Sequence, residues 1–205
     1  MKSNPNLHLN RSKRMVEYDY SRPGRYYITQ CTQNRAYLFG DVVNKEMYLS
    51  VCGRIVKQEL LKLPEYHCRI VLHEWVIMPD HVHAIIELGD YGYNNGVAVT
   101  AGQFHEIDLP KIVPQQPLTP EQYRLSRRNM LIPKIMGKFK MQTSKQINIA
   151  RNTAGRKNWQ TDYDDRIIRN DAEYQRIVEY IRNNPGAWFG KSILGQSSFG
   201  FAQEP

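Results

Sequence analysis

The stretch MPDHVHAII, residues 78–86, places two histidines on either side of a valine within an otherwise apolar run. Successive side chains of a β-strand point to opposite faces. In a strand, His81 and His83 would therefore share one face, followed there by Ile85 and Glu87. The other face would receive only apolar side chains: Val82, Ala84, Ile86 and Leu88. The pattern predicts a strand with one face in the core and two imidazoles placed to hold one metal ion.

The sequence around this strand predicts an α+β fold. Hydrophobic periodicity predicts strands at 25–33, 68–78 and 81–88, helices at 50–63, 131–151 and 171–185, and a short strand or extended segment at 159–170. Ser50 is a suitable N-cap for the first helix, and Pro185 is expected to end the last one. This order of elements predicts an antiparallel sheet with helices packed on one face.

Three regions outside these elements are predicted to be irregular: a flexible basic arm at 1–24, a long insertion at about 89–130 and a C-terminal tail at 190–205. No apolar run approaches the roughly 18 residues of a membrane span, and no secretory signal is apparent. We therefore expect an intracellular, cytoplasmic protein with no membrane partner. The cysteines are odd in number and lack CxxC spacing, which favours buried free thiols: Cys31, Cys52 and Cys68.

Positive charge is concentrated in one part of the chain. The net charge is +8, and residues 122–161 contain ten Lys and Arg and no Asp or Glu. Such a block favours a polyanionic partner, with a solvated basic surface as the alternative. Three lysines of the predicted helix at 131–151 are candidates for phosphate contact: Lys134, Lys138 and Lys145. Trp159 and Tyr163 would either stack on an unpaired base or pack in the core.

Two imidazoles hold a divalent ion poorly, so the sequence has to supply a third ligand. Cys68 and His73 are alternatives that would suggest zinc, but they leave the basic block unexplained. Tyr180 and Asn184 are four residues apart and thus share one face of the last predicted helix. Because Pro185 disfavours helical geometry at Asn184, that residue could direct its amide oxygen at a metal. A tyrosine beside such a metal is a potential nucleophile.

Five blocks of the sequence, spread over about residues 18–189, carry a resemblance to a known family. They occur in the family's order: YYITQCTQNRAYLFG, VIMPDHVHAIIEL, KFKMQTSKQIN, WQTDYDDRIIRN and RIVEYIRNNP. Together they resemble the HUH-type single-tyrosine transposases, and in particular the REP-associated tyrosine transposases, named for repetitive extragenic palindromes. The histidine pair alone is a short motif, whereas the pair combined with the tyrosine helix and the intervening blocks is highly specific.

The resemblance implies a fold, a cofactor and a reaction. The fold would be ferredoxin-like and RRM-like, with the histidine pair on a central strand. His81, His83 and Asn184 would bind Mg²⁺ or Mn²⁺. Tyr180 would attack a phosphate in single-stranded DNA beside a hairpin, giving a 5′-phosphotyrosine and a 3′-hydroxyl. The protein would act as a monomer or homodimer near the nucleoid. The expected DNA contacts are Lys134, Lys138, Lys145, Arg156, Lys157 and Arg166.

Two positions depart from the family pattern. Asp80 stands where Asn is common, and it would either strengthen metal binding or only cap the turn. Arg166 stands where a histidine often follows the acid, and it would either replace that histidine as a cation or lower activity. Two other functions stay open from the sequence: a domesticated DNA-hairpin-binding protein with little or no cleavage, and an RNA-binding RRM-like module.

Overall fold

In the computed structural model, the residues described are 18–89, 92–94, 97–99, 121 and 129–193. The strands are β1 (Gly24–Cys31), β2 (Gly40–Val43), β3 (Glu46–Leu49), β4 (Ile70–Met78), β5 (His81–Leu88), β6 (Gly92–Asn94), β7 (Val97–Val99) and β8 (Asp164–Ile168). The helices are α1 (Val51–Leu61), α2 (Leu63–Tyr66), α3 (Leu131–Ala150) and α4 (Asp171–Ile193). Most of the predicted arm, insertion and tail lies outside the described residues.

The central sheet has four antiparallel strands in the order β4-β5-β1-β8. With α1 between β1 and β4, and α3 between β5 and β8, the chain follows the β-α-β-β-α-β order of ferredoxin-like folds. The α+β fold class predicted from the sequence is confirmed. The histidine pair lies on β5, which is a central strand as expected.

Local sequence explains how α1 starts. The hydroxyl of Ser50 accepts a hydrogen bond from the backbone N–H of Gly53, as predicted for an N-cap. The same hydroxyl donates to the carbonyl of Leu38, which ties the helix to the segment before β2. A Cβ at Gly53 would collide with the carbonyl oxygen of Phe39, so this close approach requires glycine.

One face of the sheet carries the main hydrophobic core. The β5 residues predicted to face the core are all buried there: Val82, Ala84, Ile86 and Leu88. Helices α1 and α3 cover them with apolar side chains that include Val56, Leu60, Ile135, Phe139 and Ile147. The alternation in MPDHVHAII therefore assigned this face correctly.

The last helix corrects the prediction that the helices share one face. Ile177, Val178 and Ile181 of α4 pack with Ile85 and Tyr27, on the face of the sheet that carries the histidines. The physical reason is that Tyr27 and Ile85 make this face partly apolar, so it also needs cover. The sheet thus lies between α1 and α3 on one side and α4 on the other.

A second correction concerns the end of α4. The prediction stopped the helix at Pro185, but the helix continues through Pro185 to Ile193 and so includes the first residues of the predicted tail. A proline inside a helix removes one backbone hydrogen bond. The turn beyond it brings the ring of Trp188 against those of Tyr37 and His81. No helix in the described part of the chain is long and apolar enough to cross a membrane.

Candidate active site

His81 is held by a carboxylate on the turn before β5. Its Nδ1 lies 2.5 Å from Oδ1 of Asp80, and both side chains are buried. The other carboxylate oxygen of Asp80 forms an ion pair with Nε of Arg35 at 2.9 Å. Because an ionised carboxylate only accepts, the proton of His81 belongs on Nδ1, which leaves Nε2 as the nitrogen for a ligand. Asp80 therefore orients His81.

His83 is held in the same way by hydroxyl groups of β1. Its Nδ1 lies 2.8 Å from the hydroxyl of Tyr27 and 2.9 Å from that of Thr29. The side chain is only 2% exposed. Burial, and then electrostatic interaction with His81 and Arg35, lower the pKa of His83 well below its ordinary value. The imidazole is therefore neutral near pH 7, which is the form that binds metals.

The tyrosine of the last helix meets the histidine pair in one cleft. The ring centroids of His81 and His83 lie 4.6 Å apart, and that of Tyr180 lies 5.5 Å from His83 and 6.4 Å from Tyr27. The half-buried Tyr180 thus stands over the histidine face of β5. The tyrosine that the sequence placed beside the proposed metal therefore lies next to the histidine pair in the fold.

Asn184 lies on the same helical face, one turn after Tyr180. Trp188 follows one turn later, with its ring 5.8 Å from that of His81. Residues at steps of four share a face of a helix, so Asn184 lies between two residues that contact the histidines. It is 8% exposed. Two imidazoles and one amide oxygen form a donor set that fits a first-row divalent ion such as Mn²⁺ better than Mg²⁺.

The alternative zinc ligands do not converge on this cleft. His73 instead contacts Glu87 through Nε2 at 2.9 Å and the hydroxyl of Tyr174 through Nδ1 at 3.2 Å. Over residues 18–89 and the other described segments, no group of three or more His, Cys, Asp and Glu side chains could hold a metal ion. A metal site on the histidine pair therefore needs a ligand of another type, and Asn184 is the candidate.

The cations predicted to contact DNA fall into separate places. Arg166 pairs with Tyr27 in the β1–β8 register, so it lies on the same sheet face as His83. The lysines of α3 lie in the helical layer on the other side of the sheet: Lys134, Lys138 and Lys145. All three are exposed, and Lys138 places its Nζ 4.1 Å from the ring centre of Tyr66. The site cleft and the α3 lysines are therefore two different surfaces.

The loop after α3 runs back to the end of the sheet where β5 begins. The carbonyl of Asn158 accepts from the backbone N–H of Gln33, just beyond the end of β1, and Cys31 pairs with His81. Arg156 and Lys157, which are exposed, come directly before Asn158. These two predicted DNA contacts are thus at the histidine end of the sheet.

Trp159 has a structural role. Its ring packs 4.9 Å from Phe39 and 5.7 Å from Phe139, and its Nε1 donates to the hydroxyl of Thr143 at 2.8 Å. Tyr163 packs against the same core. The core interpretation of these two aromatic residues is confirmed, and the stacking interpretation is wrong for Trp159 because the ring is buried. Two further rings lie near the cleft, Tyr37 and Trp188, and no sequence pattern marked them.

The fold and the cleft define a ferredoxin-like α+β protein that sets a histidine pair on a central strand against a tyrosine of its last helix. No protein-family model matches the chain. An uncharacterised protein of Haemophilus influenzae is 32% identical over 187 residues, which cover 91% of this chain and 94% of that protein. The chain belongs to the same family as this Haemophilus protein.

Two solved structures are similar to the chain. One is a REP-associated tyrosine transposase bound to a REP hairpin, 16% identical, with a TM-score of 0.45 and coverage of 93% of this chain and 98% of that one. The other is a candidate transposase of Deinococcus radiodurans, 17% identical, with a TM-score of 0.39 and coverage of 83% and 96%.

Proposed function

We propose that the protein is a metal-dependent tyrosine transposase, a single-stranded DNA endonuclease that cuts and rejoins DNA beside hairpins. The observation that supports the proposal most directly is the contact between Tyr180 and His83, whose ring centroids are 5.5 Å apart. A phenol next to two buried, oriented imidazoles is an arrangement suited to metal-assisted attack on a phosphodiester. The five sequence blocks that resemble the tyrosine transposases support the same reaction.

The proposed chemistry assigns a role to each side chain. The hydroxyl oxygen of Tyr180 attacks the phosphorus, and the bond to the 3′-oxygen breaks, which leaves a 5′-phosphotyrosine and a 3′-hydroxyl. Overall, the phenolic proton is exchanged for the proton of the released hydroxyl. Attack by a 3′-hydroxyl on the phosphotyrosine reverses the step and joins the strands. Arg166, on the same sheet face, adds positive charge near the phosphate.

His81, His83 and Asn184 would hold the divalent ion. When bound, that ion would act as a Lewis acid toward the scissile phosphate and stabilise the charge of the transition state. The protein's own contribution is to fix both imidazoles through Nδ1, by Asp80 on one and by Tyr27 and Thr29 on the other. All the proposed site residues belong to one chain, so a monomer contains the complete set.

The experiment is to incubate the protein with Mn²⁺ and a labelled library of DNA hairpins that carry single-stranded flanks. The wild type should form a covalent protein–DNA adduct on denaturing gels. Tyr180→Phe should form none and still bind hairpins within a few-fold, because only the attacking oxygen is removed. Tyr174→Phe is the matched control, since it removes a hydroxyl of the same helix that contacts His73, and it should keep the adduct.

Three results would contradict the proposal. An adduct that persists in Tyr180→Phe would rule out this nucleophile. Hairpin binding by the wild type with no adduct under any divalent ion would instead favour the domesticated hairpin-binding protein. Preference for the matching RNA over the DNA hairpin would favour the RNA-binding module.

A further inference from the structure

Aromatic side chains form a continuous row from the surface to the candidate metal site. Tyr37 is 69% exposed, and its ring centroid lies 5.5 Å from that of Trp188. The ring of Trp188 in turn lies 5.8 Å from His81. Trp188 is therefore one ring contact away from the histidine pair, and Tyr37 is two. The outer end of the row faces solvent.

The exposed position of Tyr37 is fixed by the backbone on both sides. The hydroxyl of Thr32 donates to the carbonyl of Ala36 at 2.9 Å. After Tyr37, the N–H groups of Leu38 and Phe39 donate to the carbonyl of Pro79, at 2.9 and 3.0 Å. The segment is thus tied to the turn that precedes His81. A ring whose backbone is already fixed loses less conformational freedom when a ligand stacks on it.

We propose that Tyr37 and Trp188 form a stacking subsite for one unpaired nucleobase beside the scissile phosphate, an inference that rests on the proposed function. Sites for single-stranded nucleic acid combine aromatic platforms with positive charge along the backbone path. Arg35 lies two residues before Tyr37, and its guanidinium is partly exposed where it contacts Asp80. Arg156 and Lys157, which are exposed at the histidine end of the sheet, favour a polyanionic strand here over an acidic or neutral apolar partner.

Stacking predicts tolerance of base identity but dependence on the presence of a base. Each base stacked on an aromatic side chain contributes about 1–3 kcal/mol. Loss of one such contact would therefore weaken binding roughly 5- to 150-fold. Removing the base and removing the ring would weaken binding by the same factor. Making both changes together would weaken it no further than either change alone.

The test is a double-mutant cycle between protein and DNA in the Tyr180→Phe background, where no cleavage occurs. The probe is a hairpin selected from the library with an oligo-dT flank, into which a single abasic site is placed at each position in turn. We expect one position at which the abasic site and Tyr37→Ala each weaken binding about tenfold or more, with no further loss when combined. Tyr37→Phe should restore binding at that position, because it keeps the ring.

Tyr48→Ala is the matched control, since Tyr48 is also exposed and its hydroxyl contacts Glu46. Its loss should be small and should add to that of every abasic site. Trp188→Phe, which keeps a ring, and Trp188→Leu, which does not, extend the cycle to the inner position. Quenching of 2-aminopurine at the identified position should disappear in Tyr37→Ala.

If the losses of binding free energy from Tyr37→Ala and from the abasic site were additive at every position, the proposed subsite would be contradicted. This failure is distinct from failure of the proposed function, which the adduct assay measures in the protein with Tyr180 intact. If the adduct forms but the losses are additive, the subsite is contradicted and the transposase proposal stands. If the losses are coupled but no adduct forms, the stacking subsite stands and the cleavage proposal is contradicted.

Discussion

Buried polar groups have different hydrogen-bond partners on the two sides of the sheet. Under α1 and α3, Glu59 is only 4% exposed, and its carboxylate accepts hydrogen bonds at 2.7 Å from Tyr66, 2.8 Å from Gln146 and 3.0 Å from Lys62. Each donor belongs to the helical layer or to the residues that join its helices. The carboxylate of Glu59 is therefore hydrogen-bonded within the same helical layer that it stabilises.

On the other face, buried polar groups are arranged to orient side chains toward a cleft. Asp80, Tyr27 and Thr29 all act on the Nδ1 atoms of the histidine pair. The side chains that complete the cleft come from a different element, α4. A buried polar group whose hydrogen bonds all go to its own layer stabilises that layer. A side chain that is held through one atom, with a second atom left for a ligand, is arranged for binding.

The largest effect that tests this contrast is loss of a proposed metal ligand from the histidine face. We expect His83→Ala to reduce the adduct below detection and to abolish Mn²⁺ binding in calorimetry, since one of the two proposed imidazole ligands is removed. EDTA should stop the wild-type reaction and added Mn²⁺ should restore it. His73→Ala, which removes a histidine bonded to Glu87 outside the cleft, should keep the adduct. Full cleavage in EDTA would contradict the metal requirement.

The sequence predicted those features that depend on local pattern. Alternation in β5 assigned His81 and His83 to one face and Val82 to the other, and Ser50 was recognised as an N-cap. Both depend on residues within a few positions of one another. The spacing of Tyr180 and Asn184 on one helical face is equally local, and the helix keeps it.

The remaining features depend on pairing between distant segments. Tyr27 and Thr29 reach His83 only because β1 aligns with β5 in one register, and a slip of one residue would turn both hydroxyls to the other face. The side of the sheet that α4 covers is likewise a property of the whole fold. For the same reason, the sequence predicted that the α3 lysines are exposed but not that they lie across the sheet from the histidines.

A smaller effect is expected for the residue that orients His81. Asp80→Asn keeps the size of the side chain but removes the charge that holds the imidazole and pairs with Arg35. Loss of such an outer partner typically lowers metal affinity about 10- to 100-fold. Calorimetric titration with Mn²⁺ would measure it. Asp41→Asn, a change at an exposed position on β2, is the control, and an unchanged affinity in Asp80→Asn would show that Asp80 only caps the turn.

The smallest effect is expected on the other face, at Glu59, and it should depend on pH. Burial raises the pKa of Glu59, but hydrogen bonds from Tyr66, Gln146 and Lys62 outweigh it, so that the pKa lies below its ordinary value. A carboxylate with a lowered pKa stabilises the fold fully above its unfolded pKa, about 4.3. That contribution is lost as the pH falls through the lower folded value.

Glu59→Gln should therefore lower the free energy of unfolding by about 1 kcal/mol at pH 7, because a charged acceptor is replaced by a neutral one. Urea denaturation at a series of pH values should show the difference from the wild type shrinking once the pH falls below about 4.3. Glu65→Gln, at an exposed position of α2, should show little difference at any pH. If the Glu59→Gln difference stayed constant down to acid pH, the carboxylate charge would not be what stabilises this layer, and the contrast between the two faces would have to rest on packing alone.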